Sequence, residues 1–219
     1  MGTNQPWEHP DWYDLHDTTW TAGPEREPEH YCELLLALPP LDHDDHLVDV
    51  GAGTGKLASL ITGGYPRLGQ VTLLEPNERK LALARERLVQ ANPEMTVDIV
   101  ALSLGEGAPL PPGVQGNIVT IGSVLMPIMI LRGGTLADGL VWLQKALADV
   151  ISMARPGGWV YALETLAAPW DQGTPEMPAR RLSLIELSDE FEQAGLVGVE
   201  CVYRFRDRVV LRGHIPSGD

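Results

Sequence analysis

The stretch LVDVGAGTGKLASLI, from Leu47 to Ile61, decides the fold of this 219-residue chain. An apolar, strand-like run ends at Val50, glycines follow at positions 51, 53 and 55, and an apolar, helix-like run comes next. Glycine adopts positive φ readily and lets the backbone approach a ligand closely, because it has no Cβ. The stretch therefore predicts a strand, a ligand-binding turn and a helix. The spacing of the glycines tests which ligand the turn holds.

Three classes of ligand compete for such a turn: a nucleoside triphosphate, a dinucleotide and S-adenosylmethionine. A phosphate loop needs Gly, four residues and then Gly-Lys-Ser/Thr. Here Leu57 replaces the hydroxyl residue and Val50 stands where the first glycine should be, so the triphosphate is excluded. The dinucleotide pattern G-x-G-x-x-G needs its third glycine at position 56, which is Lys56. The observed G-x-G-x-G, two residues after Asp49, favours S-adenosylmethionine.

The pattern around the turn predicts an α/β fold of the Rossmann-like, doubly wound class, because strand patterns alternate with helix patterns. No helix separates the last two strands, so we expect a mostly parallel seven-stranded sheet with an antiparallel C-terminal strand. Strands are expected at 47–50, 70–75, 95–101, 117–123, 159–164, 199–204 and 208–212. Helices are expected at 29–38, 55–62, 77–91, 136–154 and 184–194, with a turn at 155–158.

Composition excludes several classes of partner. The formal net charge is -14, whereas nucleic-acid binding normally requires a basic face. The sequence has no uninterrupted apolar run of roughly 18 residues, and its start lacks the pattern of a secretory signal. Its two cysteines are expected to be free thiols, which is typical of a cytoplasmic protein. Ligand-type residues at 42–46 precede the first strand, at the end of the sheet away from the turn, so we expect no metal site.

The residues VDVGAGTG, from Val48 to Gly55, resemble motif I of the class I S-adenosylmethionine-dependent methyltransferases. The resemblance extends more weakly over roughly residues 30–215, with the small-molecule enzymes of secondary metabolism as the nearest type. It implies methyl transfer from S-adenosylmethionine to an oxygen, nitrogen or carbon of a small-molecule or peptide acceptor. We expect a monomer or homodimer, and the composition predicts that it binds neither nucleic acid nor membrane. Two alternatives stay open: a nicotinamide-dependent oxidoreductase, and a non-catalytic binding protein with the same fold.

The resemblance also implies the cofactor contacts. Asp49 would lie near the amino acid part of the cofactor, and Glu75, which ends the second strand before Pro76, would hold the ribose hydroxyls. Leu102 and Ser103 stand near the expected adenine site, where the family more often has Gly-Asp. The full set of expected cofactor residues is Tyr13, Asp49, Gly51, Gly53, Gly55, Glu75, Pro76, Leu102, Ser103, Gly122 and Ser123.

Catalytic residues are harder to predict, because the sulfonium already activates the methyl group and the enzyme mainly aligns the acceptor and excludes water. Residues 1–28 are rich in tryptophan and are expected to form a lid or cap on a methyltransferase domain at 29–215. His16 and Asp17 in this segment, and Glu164 at the end of the fifth strand, are the candidate bases.

Overall fold

The computed structural model describes residues 27–132, 134–167, 181–205 and 207–218. The helices are α1 (Glu27–Ala37), α2 (Lys56–Gly64), α3 (Glu78–Ala91), α4 (Leu125–Arg132), α5 (Leu136–Ser152) and α6 (Leu184–Gln193). The strands are β1 (His46–Val50), β2 (Gln70–Leu74), β3 (Thr96–Val100), β4 (Gly116–Gly122), β5 (Ala154–Thr165), β6 (Val197–Phe205) and β7 (Arg208–His214). Apart from residues 27 and 28, the expected lid lies outside the described residues, and the boundary at 28–29 stays a prediction.

The seven strands form one sheet in the order β3-β2-β1-β4-β5-β7-β6. The first five strands in this order, β3, β2, β1, β4 and β5, pair in parallel with their neighbours. Strand β7 runs antiparallel to both β5 and β6. The predicted fold class is therefore confirmed. The strand order reverses between β1 and β4, and ligands of open α/β sheets bind beyond the carboxyl ends of the strands at such a point.

Side chains of alternate residues along the strands point to opposite layers of helices. Val48 and Val50 of β1 face the layer of α4, α5 and α6, while Leu47 faces the layer of α1, α2 and α3. Both layers are mainly buried aliphatic side chains, and complete burial of a large one stabilises the fold by about 1.5–3 kcal/mol relative to exposure. Asp49 shares the face of Leu47, so its carboxylate enters an otherwise apolar layer.

The sequence prediction missed one helix and misplaced the start of one strand. Helix α4 was not expected, because its run LMPIMILR lacks a polar face and contains Pro127. Proline is tolerated there because it lies in the first turn, where its missing N–H has no partner inside the helix. Strand β5 begins at Ala154 and so includes 155–158, which had been expected to form a turn. None of the described helices is long and apolar enough to span a membrane.

Candidate functional site

A cavity of about 330 Å³ lies at the carboxyl ends of β1, β2 and β4, where the strand order reverses. The volume is at the lower end of the range of about 300–1,000 Å³ that is typical of small-molecule sites. The fold brings nine of the expected cofactor residues to this cavity: Asp49, Gly51, Gly53, Glu75, Pro76, Leu102, Ser103, Gly122 and Ser123.

The three glycines of the turn all have positive φ, but their surroundings differ. A Cβ on Gly51 would lie 2.2 Å from Cγ2 of Val124, in the loop after β4. A Cβ on Gly53 would meet open space, with its nearest atom 4.0 Å away. A Cβ on Gly55 would lie 2.9 Å from the Cβ of Ala84 on α3. Gly53 therefore keeps the cavity open, whereas Gly55 does not line it and instead permits α2 and α3 to pack closely.

Backbone hydrogen bonds of the turn argue against a pyrophosphate ligand. The N–H of Ala52 donates to the carbonyl of Leu74 at 2.9 Å, and that of Gly55 donates to the carbonyl of Ala52 at 2.8 Å. The N–H of Gly53 donates to Oε2 of Glu75 at 3.2 Å. Phosphate-binding turns offer such N–H groups to the ligand, and here three of them already have partners.

Asp49 is a buried acid with an incompletely satisfied carboxylate. It is 1% exposed, and its Oδ1 accepts a hydrogen bond from Oγ1 of Thr120 at 2.9 Å. Its Oδ2 has no hydrogen-bond partner among the described residues, although a buried polar atom without a partner is costly. Desolvation raises the pKa of Asp49 to about 7. Asp49 lines the cavity, so a cationic or hydrogen-bonding ligand there would lie close to this carboxylate.

Glu75 connects the glycine turn to the start of α3. One carboxylate oxygen accepts from the N–H of Gly53, and the other accepts from the N–H of Asn77 at 3.2 Å. Asn77 in turn caps α3, as expected from the sequence, by accepting from the N–H groups of Arg79 and Lys80. An ionised oxygen can accept more than one hydrogen bond, so Glu75 can hold the turn and also bind hydroxyl groups in the cavity.

Several lining residues were not anticipated from the sequence. Val124, Pro127, Ile128 and Arg132 belong to α4 or the residue before it, and they were missed with that helix. Lys80 is only 7% exposed although it carries a formal charge. It stands in the first turn of the helix after β2, near the carboxyl edge of the sheet, and this position could have identified it.

Tyr31 of α1 also lines the cavity, beside Gly122. A Cβ on Gly122 would lie 3.6 Å from Cε1 of the tyrosine ring. No pattern in the sequence distinguished Tyr31 from the other apolar residues of α1, because its position depends on the packing of α1 against the sheet.

The candidate catalytic residues are not brought together in the described structure. Tyr13, His16 and Asp17 lie outside the described residues. Glu164 does not line the cavity; it is 1% exposed, and its carboxylate accepts hydrogen bonds from the backbone at the start of α4. Among the described residues, no group of three or more His, Cys, Asp or Glu side chains could hold a metal ion.

No protein-family model matches the sequence, and no curated protein matches it either. Many solved structures match the fold. Human N-acetylserotonin methyltransferase, in complex with S-adenosylmethionine, is 14% identical with a TM-score of 0.64, over 94% of this chain and 55% of that one. PigF with S-adenosylhomocysteine is 18% identical with a TM-score of 0.63, over 95% and 60%. The [4+2]-cyclase SpnF is 14% identical with a TM-score of 0.66, over 98% and 97%.

These similarities show that the chain has the fold of the S-adenosylmethionine-dependent methyltransferases. The chain spans less than two thirds of the length of several of these structures, among them the human enzyme and PigF. The same fold occurs in a cyclase, so what this chain does depends on its cavity rather than on its topology.

Proposed function

We propose that the chain binds S-adenosylmethionine in the cavity and transfers its methyl group to a small-molecule or peptide acceptor, releasing S-adenosylhomocysteine. The observation that carries this proposal is the combination of the open position at Gly53 with the unsatisfied Oδ2 of Asp49 at the same cavity. The net charge of -14 supports an acceptor other than nucleic acid. The solved structures that share the fold include complexes with S-adenosylmethionine and S-adenosylhomocysteine, which supports the choice of cofactor.

The residues of the cavity fit the chemistry of this cofactor group by group. The carboxylate of Asp49 would accept from the cofactor's ammonium, and that of Glu75 from its ribose hydroxyls. Leu102 and Ser103 follow β3 and line the cavity, and Leu102 is buried. At the adenine, Leu102 would provide an apolar contact and Ser103 a polar group. When bound, the cofactor supplies a methyl group on a positively charged sulfur that is already activated for displacement.

The protein would then align the acceptor and exclude water. Tyr31 and Ser123 lie at the end of the cavity formed by β4, and Tyr31 would form part of the wall there. An acceptor oxygen or carbon needs a proton acceptor, whereas an amine needs only to be neutral. His16 and Asp17 remain our candidates for that role, and residues 1–28 remain our candidate lid.

Calorimetry with S-adenosylhomocysteine tests the proposal. We expect wild-type protein to bind it and Gly53→Val to lose binding, because the branched side chain would fill space that the ligand needs. Gly113→Val is the matched control, since Gly113 also has positive φ and an open Cβ position but does not line the cavity. Wild-type protein that binds NADH but not S-adenosylhomocysteine would favour the oxidoreductase instead. Equal binding by both valine variants would show that the turn is not the site.

A second candidate function comes from the breadth of the fold. SpnF, described as a [4+2]-cyclase, matches this chain over 98% of its length and 97% of its own, and a chain of the Haloferax volcanii complex that contains the Trm112 methyltransferase activator matches it over 95% and 98%. A cyclase of this kind would leave the mass of its substrate unchanged. Mass spectrometry of candidate acceptors incubated with S-adenosylmethionine separates the two functions. A product heavier by one methylene indicates methyl transfer, and an isomer of the substrate indicates the alternative.

A further inference from the structure

Glu164 is a buried acid that the proposed function does not use. It lies near the end of β5, is 1% exposed and does not line the cavity. A buried carboxylate requires partners that compensate for its lost hydration. Its partners therefore indicate what it does.

The hydrogen-bond donors to Glu164 among the described residues are backbone N–H groups around the start of α4, and the positive charge of Arg181 also acts on its carboxylate. Its Oε1 accepts from Val124 at 3.0 Å and from Leu125 at 2.7 Å, and its Oε2 accepts at a longer 3.5 Å from Met126. The first N–H groups of a helix have no partners inside the helix. A carboxylate there also interacts favourably with the helix dipole. Most helices are capped by the residue that precedes them. Helix α4 is instead capped by Glu164, which lies on β5.

The start of α4 forms one wall of the cavity. Ser123 has a φ of 56°, which is uncommon for a residue other than glycine, and its N–H donates to the carbonyl of Leu163 at 2.7 Å. Val124 packs directly on Gly51, where even one additional methyl group would clash. Ser123, Val124, Pro127 and Ile128 all line the cavity. Holding the first turn of α4 in place therefore also fixes its contact with the glycine turn.

We propose that Glu164 is a positioning residue for cofactor binding: it fixes the start of α4 against Gly51 and so sets the shape of the cavity. This inference rests on the proposed function for the identity of the ligand. It assigns Glu164 no contact with the cofactor or the acceptor, in contrast to the base predicted from the sequence.

Glu164→Gln tests the proposal, because it keeps the size of the side chain but replaces one acceptor oxygen with an N–H₂ group that faces the helix N–H groups. Burial raises the pKa of Glu164 to about 7, so the comparison is made at about pH 8, where the side chain is mostly ionised. There we expect the dissociation constant for S-adenosylhomocysteine to rise about tenfold, the effect of weakening hydrogen bonds to a charged group. Phe191→Leu is the control for a general loss of stability, because Phe191 is fully buried on α6 and does not line the cavity. It should lower the melting temperature and leave the dissociation constant unchanged. If Glu164→Gln does not fold, Glu164→Asp replaces it, since the shorter carboxylate is drawn away from the same donors.

Two results would overturn the proposal: wild-type affinity in the Glu164 variant, or an equal loss of affinity in Phe191→Leu. Hydrogen exchange of the ligand-free proteins keeps this test independent of the proposed function. The amides of residues 124, 125, 126 and 128 should exchange faster in the Glu164 variant than in Phe191→Leu. If wild-type protein does not bind S-adenosylhomocysteine, the proposed function fails, and equal exchange in the two variants would separately overturn the role of Glu164.

Discussion

The two walls of the cavity are built in different ways. The glycine turn at 51–55 is fixed by hydrogen bonds within the turn and by three residues that lie 22 to 33 positions further along the chain: Leu74, Glu75 and Arg87. The wall formed by Ser123 and α4 is fixed by Glu164, about 40 residues further along the chain. The first wall can be predicted from a short motif, whereas the second requires the folded sheet. The contact between Gly51 and Val124 joins them, so damage to either wall should reach the other.

Gly51→Ala should have the largest effect, because it disrupts the contact between Gly51 and Val124 that joins the two walls. The new methyl group would overlap Val124, and alanine is strained at a φ of 70°. We expect a loss of about 3 kcal/mol in the free energy of unfolding, the sum of overpacking and backbone strain. Urea denaturation measures it. Val124→Ala in the same chain should recover part of the loss, because it removes the overlapping atom; strictly additive effects would show that the two walls are independent.

Glu75→Ala should act mainly on the wall formed by the glycine turn. Removing the carboxylate takes away the partner of the Gly53 N–H and the proposed acceptor for the ribose hydroxyls. We expect binding of S-adenosylhomocysteine to weaken by about 1.5–3 kcal/mol, roughly 10- to 150-fold in dissociation constant. Calorimetry measures this, and Glu78→Ala is the control, since Glu78 is the neighbouring exposed acid in the first turn of α3. A change of less than twofold in the dissociation constant would show that other residues recognise the ribose.

Asp49 should make stability depend on pH in an unusual direction. Burial raises its pKa from 3.8 to about 7, so between these values the folded state holds the proton more tightly than the unfolded state does. Its contribution to stability is therefore fully present below pH 4, falls as pH rises, and is lost above about pH 7. Relative to Asp49→Asn, wild-type protein should lose on the order of 1–2 kcal/mol between pH 5.5 and pH 8. Parallel pH profiles in urea denaturation would show that Asp49 titrates normally.

Arg132→Ala should have the smallest effect. Arg132 ends α4, pairs with Glu106 at 3.1 Å and lies over the ring of Trp142, but its side chain is 51% exposed. Exposed ion pairs contribute about 0–1 kcal/mol, and salt screens them. We expect a loss of stability below about 1 kcal/mol that shrinks in high salt. A larger loss that does not depend on salt would mean that α4 is also fixed at its far end.

The sequence predicted those parts of the fold whose signals are local. Apolar, strand-like runs and the glycine spacing identified all seven strands and the turn, and Asn77 identified the start of α3. The prediction missed α4 because an apolar run with a proline has no helical periodicity, and its cap comes from Glu164 on another strand. Because α4 was not predicted, the sequence could not show that Glu164 accepts hydrogen bonds from that helix instead of facing the substrate as a catalytic base. The packing of Gly55 on Ala84 shows that a motif glycine need not face the ligand, which spacing alone cannot reveal.

The position of β7 between β5 and β6 has a consequence for the order of folding. During synthesis, β5 and β6 leave the ribosome before residues 208–214, yet neither strand can pair with the other without β7. The edge of β5 therefore stays unpaired until residues 208–214 have emerged, and an unpaired edge is prone to pairing with other chains. Aggregation of nascent chains should thus be most sensitive to substitutions that delay or weaken the pairing of β7. Val210 and Leu211 are such positions, because both are fully buried in the centre of the strand.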